Sequence, residues 1–291
     1  MLEGWERREK RLKVIRQPHA GIVVALQNGM TACQGLYIAR MDADDLAHPD
    51  RLALQVAHLE EHPEVDLVSC RVSAFPPEDV RGGFEVYIKW LNGLLTHEQI
   101  IREIFVESPL PHPSVMFRRD SVLSVGGYED HGWPEDYDLW LRMYLAGSRF
   151  GKVPETLVSW RESPNRLTRS DSRYSLENFL RTKAHYLSRG PTIGRDGVII
   201  WGAGMMGRRI SKHLLREGLT LDSFVDVDPK KIGRTRRGRP IIAPDDLMER
   251  LERFQTPIVL AAVGARGARE LIRERLNAMG LIEGTDWLGV A

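Results

Sequence analysis

The stretch Tyr37-Ile-Ala-Arg-Met-Asp-Ala-Asp-Asp45 decides the fold of the first half of this chain. Its apolar residues complete a predicted strand over Gly35–Met41, which runs directly into a cluster of carboxylates. Because side chains alternate along an extended chain, Asp42 and Asp44 point to the same side where the strand leaves the sheet. Two converging carboxylates suit Mg²⁺ or Mn²⁺, with phosphate oxygens completing the shell. Taken alone, these residues favour a simpler alternative, a solvated loop in which Asp45 caps the next helix.

Helices and strands alternate on both sides of this stretch, as in an α/β fold. The predicted elements are a strand over Arg11–Arg16, a helix from Pro49 to Pro63, a strand over Asp66–Cys70, a helix capped by Thr96 and Gln99, a strand over Ser114–Phe117 and a helix over Glu135–Leu145. The apolar positions of these helices recur at helical spacing, so each helix is expected to bury one face.

A second acidic cluster opens the last of these helices. Glu135 and Asp136 follow Pro134, and Asp138 lies two residues further on. Acids in the first turn of a helix interact favourably with its macrodipole, so a structural role is sufficient to explain them. The functional alternative makes Asp136, with Glu135 beside it, the general base that takes a proton from a substrate hydroxyl. A helix N-terminus favours the ionised carboxylate that a base requires.

The second half of the chain predicts a parallel sheet covered on both faces. Strands are expected over Gly197–Trp201, Ser223–Asp226 and Ile258–Val263, and helices around Ile210 and Leu214, over Pro244–Phe254 and over Ala268–Met279. The loop Gly202-Ala-Gly-Met-Met-Gly207 joins the first strand to the first helix. In this context Gly202, Gly204 and Gly207 predict a pyrophosphate site, and Asp226 is expected to accept from a ribose hydroxyl. Alternatively, the glycines only permit close packing of strand and helix.

Composition excludes several classes of protein. The 291 residues are 42% apolar and 28% charged, and 41 Lys plus Arg balance 40 Asp plus Glu, so neither a disordered chain nor a general polyanion binder is expected. Cys33 and Cys70 lack CxxC partners, which argues against a disulfide framework or thiolate metal site and fits the cytoplasm. No apolar run approaches the roughly 18 residues that cross a bilayer. The basic stretch Trp5–Arg16 fits a partly buried soluble helix, with peripheral membrane contact as the alternative.

Five segments of the first half together resemble the inverting glycosyltransferases of family 2, which share the GT-A fold. They are Tyr37–Asp45, Pro49-Asp-Arg-Leu52 with Gln55, His112-Pro-Ser-Val-Met-Phe-Arg-Arg119, Gly126-Gly-Tyr128 and Glu135-Asp-Tyr-Asp-Leu-Trp-Leu-Arg142. The resemblance covers roughly residues 10 to 170. It implies a nucleotide-sugar donor whose diphosphate lies on a divalent metal held by Asp42 and Asp44, with Asp44 the more direct ligand. It also implies that Asp136 deprotonates the hydroxyl of a glycan or lipid-linked acceptor.

Two departures from the family pattern carry expectations of their own. Family members usually open with a strand ending in a Pro-x-Tyr-Asn type of turn and a second strand ending in an Asp-Asp-Gly-Ser type of segment, which hold base and ribose. The resemblance begins only after these, so we expect an incomplete GT-A domain with an uncovered sheet edge. In Trp160–Thr168, Ser163 stands where the family often has a His linked to metal or diphosphate, and Glu162 is the candidate substitute. His112 is expected to be a hydrogen-bonded structural residue, with a helper role at the site as the alternative.

The second half resembles the small Rossmann-like domains of sugar-nucleotide-modifying and polysaccharide-biosynthesis proteins. The likeness lies in Trp201-Gly-Ala-Gly204 and Asp226-Val-Asp-Pro-Lys-Lys-Ile-Gly233. It implies a bound nucleotide, with NAD as one candidate, although no Tyr-x-x-x-Lys, Cys or His set suited to hydride transfer accompanies the loop. The basic run Lys230–Arg239 predicts a solvated turn, or alternatively one that draws phosphate toward the loop, and nucleic-acid binding is not expected.

The sequence therefore predicts a two-domain α/β protein. Residues 1–188 are expected to form an incomplete GT-A domain that acts as an inverting glycosyltransferase, and residues 189–291 a smaller Rossmann-like domain with a parallel sheet. Two alternatives stay open. One is a non-catalytic protein that binds a nucleotide or sugar nucleotide, and the other is an NAD-dependent oxidoreductase that uses the glycine loop.

Overall fold

The three-dimensional structure is a computed structural model that describes residues 2–80, 82–163 and 166–291. Two α/β units follow one another along the chain, each built on its own sheet. The α/β fold class predicted from the sequence is therefore confirmed. Pro164 and Asn165, which belong to the segment that departs from the family pattern, lie outside the described residues.

Of the strands in the described residues, five belong to the first sheet and six to the second. They are β1 (Tyr37–Ala39), β2 (Leu46–Ala47), β3 (Leu67–Phe75), β4 (Met116–Arg118), β5 (Phe150–Arg161), β6 (Gly197–Trp201), β7 (Leu221–Val225), β8 (Thr235–Arg236), β9 (Arg239–Ile242), β10 (Pro257–Ala261) and β11 (Trp287–Gly289).

The helices of the described residues alternate with these strands. They are α1 (Leu2–Arg8), α2 (Gly21–Ala32), α3 (Arg51–Glu61), α4 (Gly82–Asn92), α5 (His97–Glu103), α6 (Arg119–Ser124), α7 (Glu135–Leu145), α8 (Leu167–Ser170), α9 (Leu176–Ser188), α10 (Met205–Arg216), α11 (Leu247–Leu251) and α12 (Ala268–Ala278). None of them is long and apolar enough to cross a bilayer.

The first sheet is mixed and has the strand order β1-β4-β3-β5-β2. Its centre is the parallel pair of β3 and β5, and the other pairs are antiparallel. The first four residues of β3 and of β5 are buried, and they include the polar Ser69 and Lys152. Among the described strands β1 pairs with β4 alone, so the acidic cluster follows an edge strand. An edge strand of this kind was expected from the sequence.

The second sheet has the order β11-β10-β6-β7-β9-β8, and all of its pairs are parallel except β8 with β9. β6 lies near the middle and is buried along its whole length. The glycine loop leaves its carboxyl end and leads into α10. Parallel α/β sheets bind ligands outside the carboxyl ends of their strands, so this arrangement places the loop at the expected edge.

The two units share one apolar core. Leu180 and Leu187 of α9 belong to the same buried cluster as Ile210 and Leu214 of α10. Charged contacts surround this junction: Glu177 accepts from Lys212 and His213 at 2.8 Å each. Helix α9 therefore joins the first sheet to the second as a packed element.

Several local predictions hold and others are wrong. Thr96 and Gln99 form the predicted capping box, and α7 spans the predicted residues. Arg11–Arg16 is not a strand, because the segment folds back on α1, where Val14 N donates to a Glu6 carboxylate oxygen at 3.0 Å. Helix α1 buries none of its residues, and Trp5 is 58% exposed, so the expected partial burial is also wrong.

Candidate functional site

The first unit contains a cavity of about 290 Å³ at the end of β1, which we call the acidic cavity. Asp42, Asp44, Glu135 and Asp136 all line it. Its other polar side chains belong to Arg40, Asp45, His112, Arg161, Arg166, Thr168 and Tyr174. Strand β1 delivers the first acidic cluster and the N-terminus of α7 delivers the second, so residues far apart in sequence meet around one cleft.

Asp42 is paired with an arginine of its own strand end. Both guanidinium nitrogens of Arg40 contact the Asp42 carboxylate, at 2.6 Å each. This bidentate pair engages both oxygens and partly neutralises their charge, so Asp42 is a weaker candidate for a metal ligand than a carboxylate without a partner.

Asp44 differs from its neighbour because its side chain is exposed to the cavity. Its backbone oxygen accepts from Nε of Arg161 at 2.7 Å, whereas its carboxylate makes no hydrogen bond or ion pair within the described part of the chain. Of the two predicted metal ligands, Asp44 is therefore the one whose oxygens are available.

Asp45 is buried beneath this pair and does not cap α3. Its Oδ1 accepts from the backbone N of Arg161 at 2.7 Å, and its buried Oδ2 has no hydrogen-bond partner among the described residues. Burial, together with the charges of Asp42 and Asp44, raises the pKa of Asp45 to about 6. Asp45 therefore takes up a proton more readily than an ordinary aspartate does.

The donor set suits a cation that brings most of its own ligands. In residues 2–80, 82–163 and 166–291, no group of three or more His, Cys, Asp or Glu side chains is arranged to hold a metal ion. Mg²⁺ commonly uses one or two carboxylates, with waters and substrate phosphates filling the rest of its shell. Asp44, beside the unpartnered Oδ2 of Asp45, fits that pattern. The described residues do not form a site made of protein ligands alone.

Glu135 is held in place by neighbours on three sides. It is 1% exposed, and its two carboxylate oxygens accept from the Tyr174 hydroxyl at 2.8 and 3.0 Å. His112 Nδ1 lies 4.0 Å from it, and His112 Nε2 pairs with the Tyr128 hydroxyl at 2.7 Å. Burial lowers the pKa of His112 well below its usual value, so its ring is neutral at pH 7. His112 is thus the hydrogen-bonded structural residue that was expected, placed directly behind Glu135.

Asp136 lies half-buried at the opening of α7, with Oδ1 accepting from the backbone N of Tyr137 at 2.7 Å. Withdrawal from water, followed by the charge of Glu135, raises the pKa of Asp136 to about 7. The helix N-terminus was expected to favour the ionised carboxylate, but desolvation outweighs that effect. A base whose pKa lies near the working pH is well matched to accept a proton.

Asp138 has a structural role. It is fully buried and accepts from Trp133 Nε1 at 2.7 Å, from the Tyr186 hydroxyl at 2.6 Å and from Arg142 Nε at 2.8 Å. These bonds attach α7 to α9 and leave Asp138 outside the acidic cavity.

Two residues of the quoted segments position the strand ends. Arg51 Nη2 donates to the backbone oxygen of Arg40 at 2.7 Å, and Gln55 Nε2 donates to the backbone oxygen of Ser114 at 2.8 Å. Arg51 Nε also donates to Gln55 Oε1 at 3.0 Å. This buried pair therefore fixes the backbone on which both Asp42 and His112 depend.

Glu162 does not replace the missing histidine. It is 2% exposed and forms ion pairs with Arg166, at 3.0 Å, and with Arg169. Two arginines already neutralise its carboxylate, so the prediction that it serves as a metal ligand finds no support in this geometry. The same contacts aim Arg166 at the acidic cavity, where its guanidinium also stacks on Trp160, 4.4 Å from the ring centroid.

A second cavity of about 400 Å³ adjoins the first and shares His112, Asp136 and Tyr174 with it. We call it the aromatic cavity. Its aromatic walls are Phe84, Tyr87, Trp160, Tyr174 and Phe179, and Glu107 and Ser108 lie at its far side. Asp136 thus lines both the acidic cavity and the aromatic cavity.

The second unit has a cavity of about 720 Å³ around the glycine loop, which we call the glycine-loop cavity. Gly202, Gly204 and Asp226 line it as expected, and Gly207 lies on the first turn of α10. A Cβ on Gly207 would stand 1.7 Å from the Gly202 oxygen, whereas a Cβ on Gly204 would meet nothing within 4 Å. Gly207 therefore permits the close approach of strand and helix, and Gly204 leaves room in the cavity.

Asp226 ties the glycine loop to the loop that follows β7. Its Oδ2 accepts from the backbone N of Ala203 at 2.9 Å, its Oδ1 from the backbone N of Asp228 at 3.0 Å, and Lys231 Nζ approaches both oxygens. Although burial opposes it, the bonds from Asp228 and Lys231 lower the pKa of Asp226. The basic run was predicted to be a solvated turn, but its second half belongs to the antiparallel pair of β8 and β9, with Arg234 and Arg237 exposed and Arg236 and Arg239 half-buried.

Sequence reasoning missed several residues of these cavities. Arg40, Arg161 and Arg166 lie within segments that the sequence singles out, Tyr37–Asp45 and Trp160–Thr168, but no role was predicted for them. Tyr174 and Lys183 carried no motif signal. Tyr174 and Lys183 enter the cavities only because α9 and the turn before it fold back over α7, which no local pattern reveals.

The fold and its cavities define an α/β protein with an acidic cleft in the first unit and a separate cavity around the glycine loop of the second. Residues 1–126 match the family described as Glycosyl transferase family 2, and residues 195–280 match the one described as CoA binding domain. The N-terminal part of the chain thus matches a family 2 glycosyltransferase domain, and the C-terminal part, with its mostly parallel sheet, matches a Rossmann-like CoA binding domain.

Two relatives and one solved structure illustrate the likeness. The amylovoran biosynthesis glycosyltransferase AmsE of Erwinia amylovora is 34% identical over 145 residues, covering 50% of this chain and 52% of that protein. The O-antigen biosynthesis glycosyltransferase WbnJ of Escherichia coli is 28% identical over 198 residues, covering 64% and 74%. The mannosyltransferase PcManGT of Pyrobaculum calidifontis, solved with GDP-Man and Mn²⁺, is 18% identical with a TM-score of 0.41, covering 64% of this chain and 48% of that one. The chain spans about half the length of several curated relatives that it matches.

Proposed function

We propose that the chain is an inverting glycosyltransferase, which moves a sugar from a nucleotide-diphosphate sugar to an acceptor hydroxyl. The observation that carries this proposal is the acidic cavity, where Asp44 and Asp136 line the same cleft. A donor diphosphate at Asp44 and an acceptor hydroxyl at Asp136 would approach one another across it. The names of the relatives support an acceptor in polysaccharide or O-antigen synthesis, as either a glycan or a lipid-linked saccharide.

Asp42 and Asp44 are proposed to act on the donor side, with different tasks. Asp44 would hold Mg²⁺ or Mn²⁺ directly, and Asp42 would hold Arg40 at the mouth of the cleft. When bound, the cation neutralises charge on the leaving nucleoside diphosphate. Arg161 and Arg166 line the same cavity and add positive charge without a metal.

Asp136 is proposed as the general base, with Glu135 as its neighbour. The acceptor hydroxyl would lose its proton to the Asp136 carboxylate as its oxygen attacks the anomeric carbon from the face opposite the leaving diphosphate. Glu135, fixed by Tyr174, raises the pKa of the base and keeps it from ionising too readily. The aromatic cavity beside Asp136 is the proposed acceptor site, since apolar walls with a few polar groups are typical of small-molecule sites.

A second activity is proposed for the other domain, which would bind a nucleotide. Gly202, Gly204 and Asp226 line a cavity of about 720 Å³ at the N-terminus of α10, where backbone N–H groups and the helix dipole favour a pyrophosphate. An NAD or a coenzyme A would both bring such a group. Asp226 is proposed to accept from a ribose hydroxyl after Lys231 moves aside, and Gly207 to keep the loop close to β6.

The division into domains at residues 1–188 and 189–291 also stays a proposal, as does a cytoplasmic location. Helix α9 ends at Ser188 and β6 begins at Gly197, so the division falls in the turn between them. Cys33 and Cys70 are free thiols, which supports a reducing compartment.

Calorimetry and product analysis test the main proposal. The full chain would be titrated with UDP-glucose, UDP-galactose, UDP-GlcNAc and GDP-mannose, with and without MnCl₂, and release of nucleoside diphosphate would then be measured. We expect metal-dependent binding of at least one donor and its slow hydrolysis. Binding of NAD without binding of any nucleotide sugar would instead favour the oxidoreductase or a non-catalytic role.

A further inference from the structure

The glycine-loop cavity is not built by the second domain alone. Val106, Glu107, Leu176 and Lys183 of the first domain line it together with the glycine loop. Lys183 is 2% exposed, and its ammonium donates to the backbone oxygens of Val106 at 2.6 Å and Val290 at 3.3 Å. The first domain therefore contributes a buried cation to a cavity that already offers backbone N–H groups.

One stretch of chain leads from the glycine-loop cavity to the acidic cavity. We call residues 103–112 the connecting segment. At its start, Glu103 is held by Arg273 at 2.9 Å and by Arg269 at 3.3 Å, both on α12 of the second domain. At its end, His112 lies behind Glu135 and lines the acidic cavity.

The middle of the connecting segment is shared by two cavities. Glu107 lines both the glycine-loop cavity and the aromatic cavity, and Ser108 lines the latter. The Tyr87 hydroxyl donates to the Ser108 oxygen at 2.7 Å, so the segment is also attached to a wall of the aromatic cavity. A ligand that moves Val106 or Glu107 must shift groups that face the proposed acceptor site.

We propose that a pyrophosphate-bearing nucleotide binds in the glycine-loop cavity with Lys183 as one of its contacts, and thereby controls the acceptor site through the connecting segment. This rests on the nucleotide site proposed above. The ammonium of Lys183 has three N–H donors, and two of them donate to the oxygens of Val106 and Val290. The third N–H is left to donate to an anionic ligand. Burial lowers the pKa of Lys183, so an approaching anion also stabilises its charged form. Ligand binding and acceptor binding are then coupled, and each alters the affinity for the other by the same factor.

The test combines calorimetry with hydrogen exchange on the full chain. NAD, NADH and coenzyme A serve as probes, because all three contain an adenosine diphosphate group. We expect at least one probe to bind, and its binding to slow exchange in both the loop 202–207 and the connecting segment. Lys183→Met should weaken that probe at least tenfold, whereas Lys212→Met, which changes a lysine outside the cavity, should leave its affinity within twofold.

Variants separate this inference from the transferase proposal. Asp136→Asn should show the same protection of both regions, because the exchange readout needs no sugar transfer. Gly204→Ala, whose added methyl meets only open space, should weaken the probe while keeping the melting temperature, and so replaces Lys183→Met if that variant unfolds. Failure of all three probes to bind overturns the inference together with the nucleotide site. Protection of residues 202–207 alone overturns only the coupling.

Discussion

The guanidinium of Arg40 holds both carboxylate oxygens of Asp42 at 2.6 Å, while the carboxylate of Asp44, two residues further on, stays free among the described residues. The two acids of one short motif thus have different chemistry. Asp44 has all of its lone pairs available to a cation, whereas Asp42 shares its charge with Arg40. This difference separates two carboxylates that their sequence pattern treats as equivalent.

Asp44→Asn should therefore abolish metal-dependent donor binding, because it removes the one free carboxylate at the end of β1. We expect the Mn²⁺-dependent part of the donor affinity to fall at least tenfold in calorimetry. Asp42→Asn is the matched comparison and should retain a measurable Mn²⁺ dependence. Equal losses in the two variants would contradict the division of tasks.

Asp136→Asn should lower turnover at least a hundredfold and leave donor affinity nearly unchanged, since a general base contributes roughly 10²- to 10⁴-fold. Transfer rate and donor titration would be measured on the same preparation. Asp138→Asn, two residues further along the same helix, is the control. It should lower the melting temperature because Asp138 joins Trp133 and Tyr186. Unchanged turnover in Asp136→Asn would remove that residue from the mechanism.

The rate should also depend on pH in a defined direction. With its pKa at about 7, Asp136 is protonated and inactive as a base at lower pH. We expect kcat/KM for the acceptor to fall about tenfold per pH unit below 7 and to level off above 8. A flat profile between pH 5 and 8 would argue against Asp136 as the titrating base.

Removal of the Asp136 charge should stabilise the folded protein, although it lowers turnover. The folded-state pKa of Asp136 is raised above the ordinary value, so its ionised form destabilises the folded state, in full above pH 7 and not at all below about pH 4. Asp136→Asn should thus raise the melting temperature at pH 8, with the gain fading toward pH 4. Thermal melts across this range would check the sign, and a gain that grows with acid would refute it.

Substitution of glycine by alanine should affect stability differently at Gly207 and at Gly204. Gly207→Ala forces a Cβ against the Gly202 oxygen, which should cost more than about 2 kcal/mol of unfolding free energy. Gly204→Ala meets no atom within 4 Å and should melt near the parent. Denaturant titration of both variants decides whether Gly207 is needed for the fold.

The local sequence was informative wherever a residue acts on its own neighbourhood. The capping box at Thr96, the start of α7 after Pro134 and the glycine loop after β6 follow from short-range rules, and the structure has all three. The strand predicted over Arg11–Arg16 failed because alternation alone cannot supply a partner strand. The raised pKa of Asp136 was not predicted either, because the burial that raises it depends on distant parts of the chain.

The candidate site shows the same division between local and distant effects. The two acidic clusters could be named from spacing, because each lies at the end of a predicted element. Tyr174 and Lys183 could not, because they reach the cavities from a turn and a helix whose positions follow from tertiary packing. Their contacts with Glu135 and Val106 join residues that are 39 and 77 positions apart in the sequence.

The core that runs across α9 and α10 limits how this protein can be dissected or recombined. A chimaera joined at residue 188 would separate Leu180 and Leu187 from α10 and the ammonium of Lys183 from Val290. One joined at residue 175 would instead separate Tyr186 from Asp138 and the ammonium from Val106, so hybrids made at either point should melt below the parent protein.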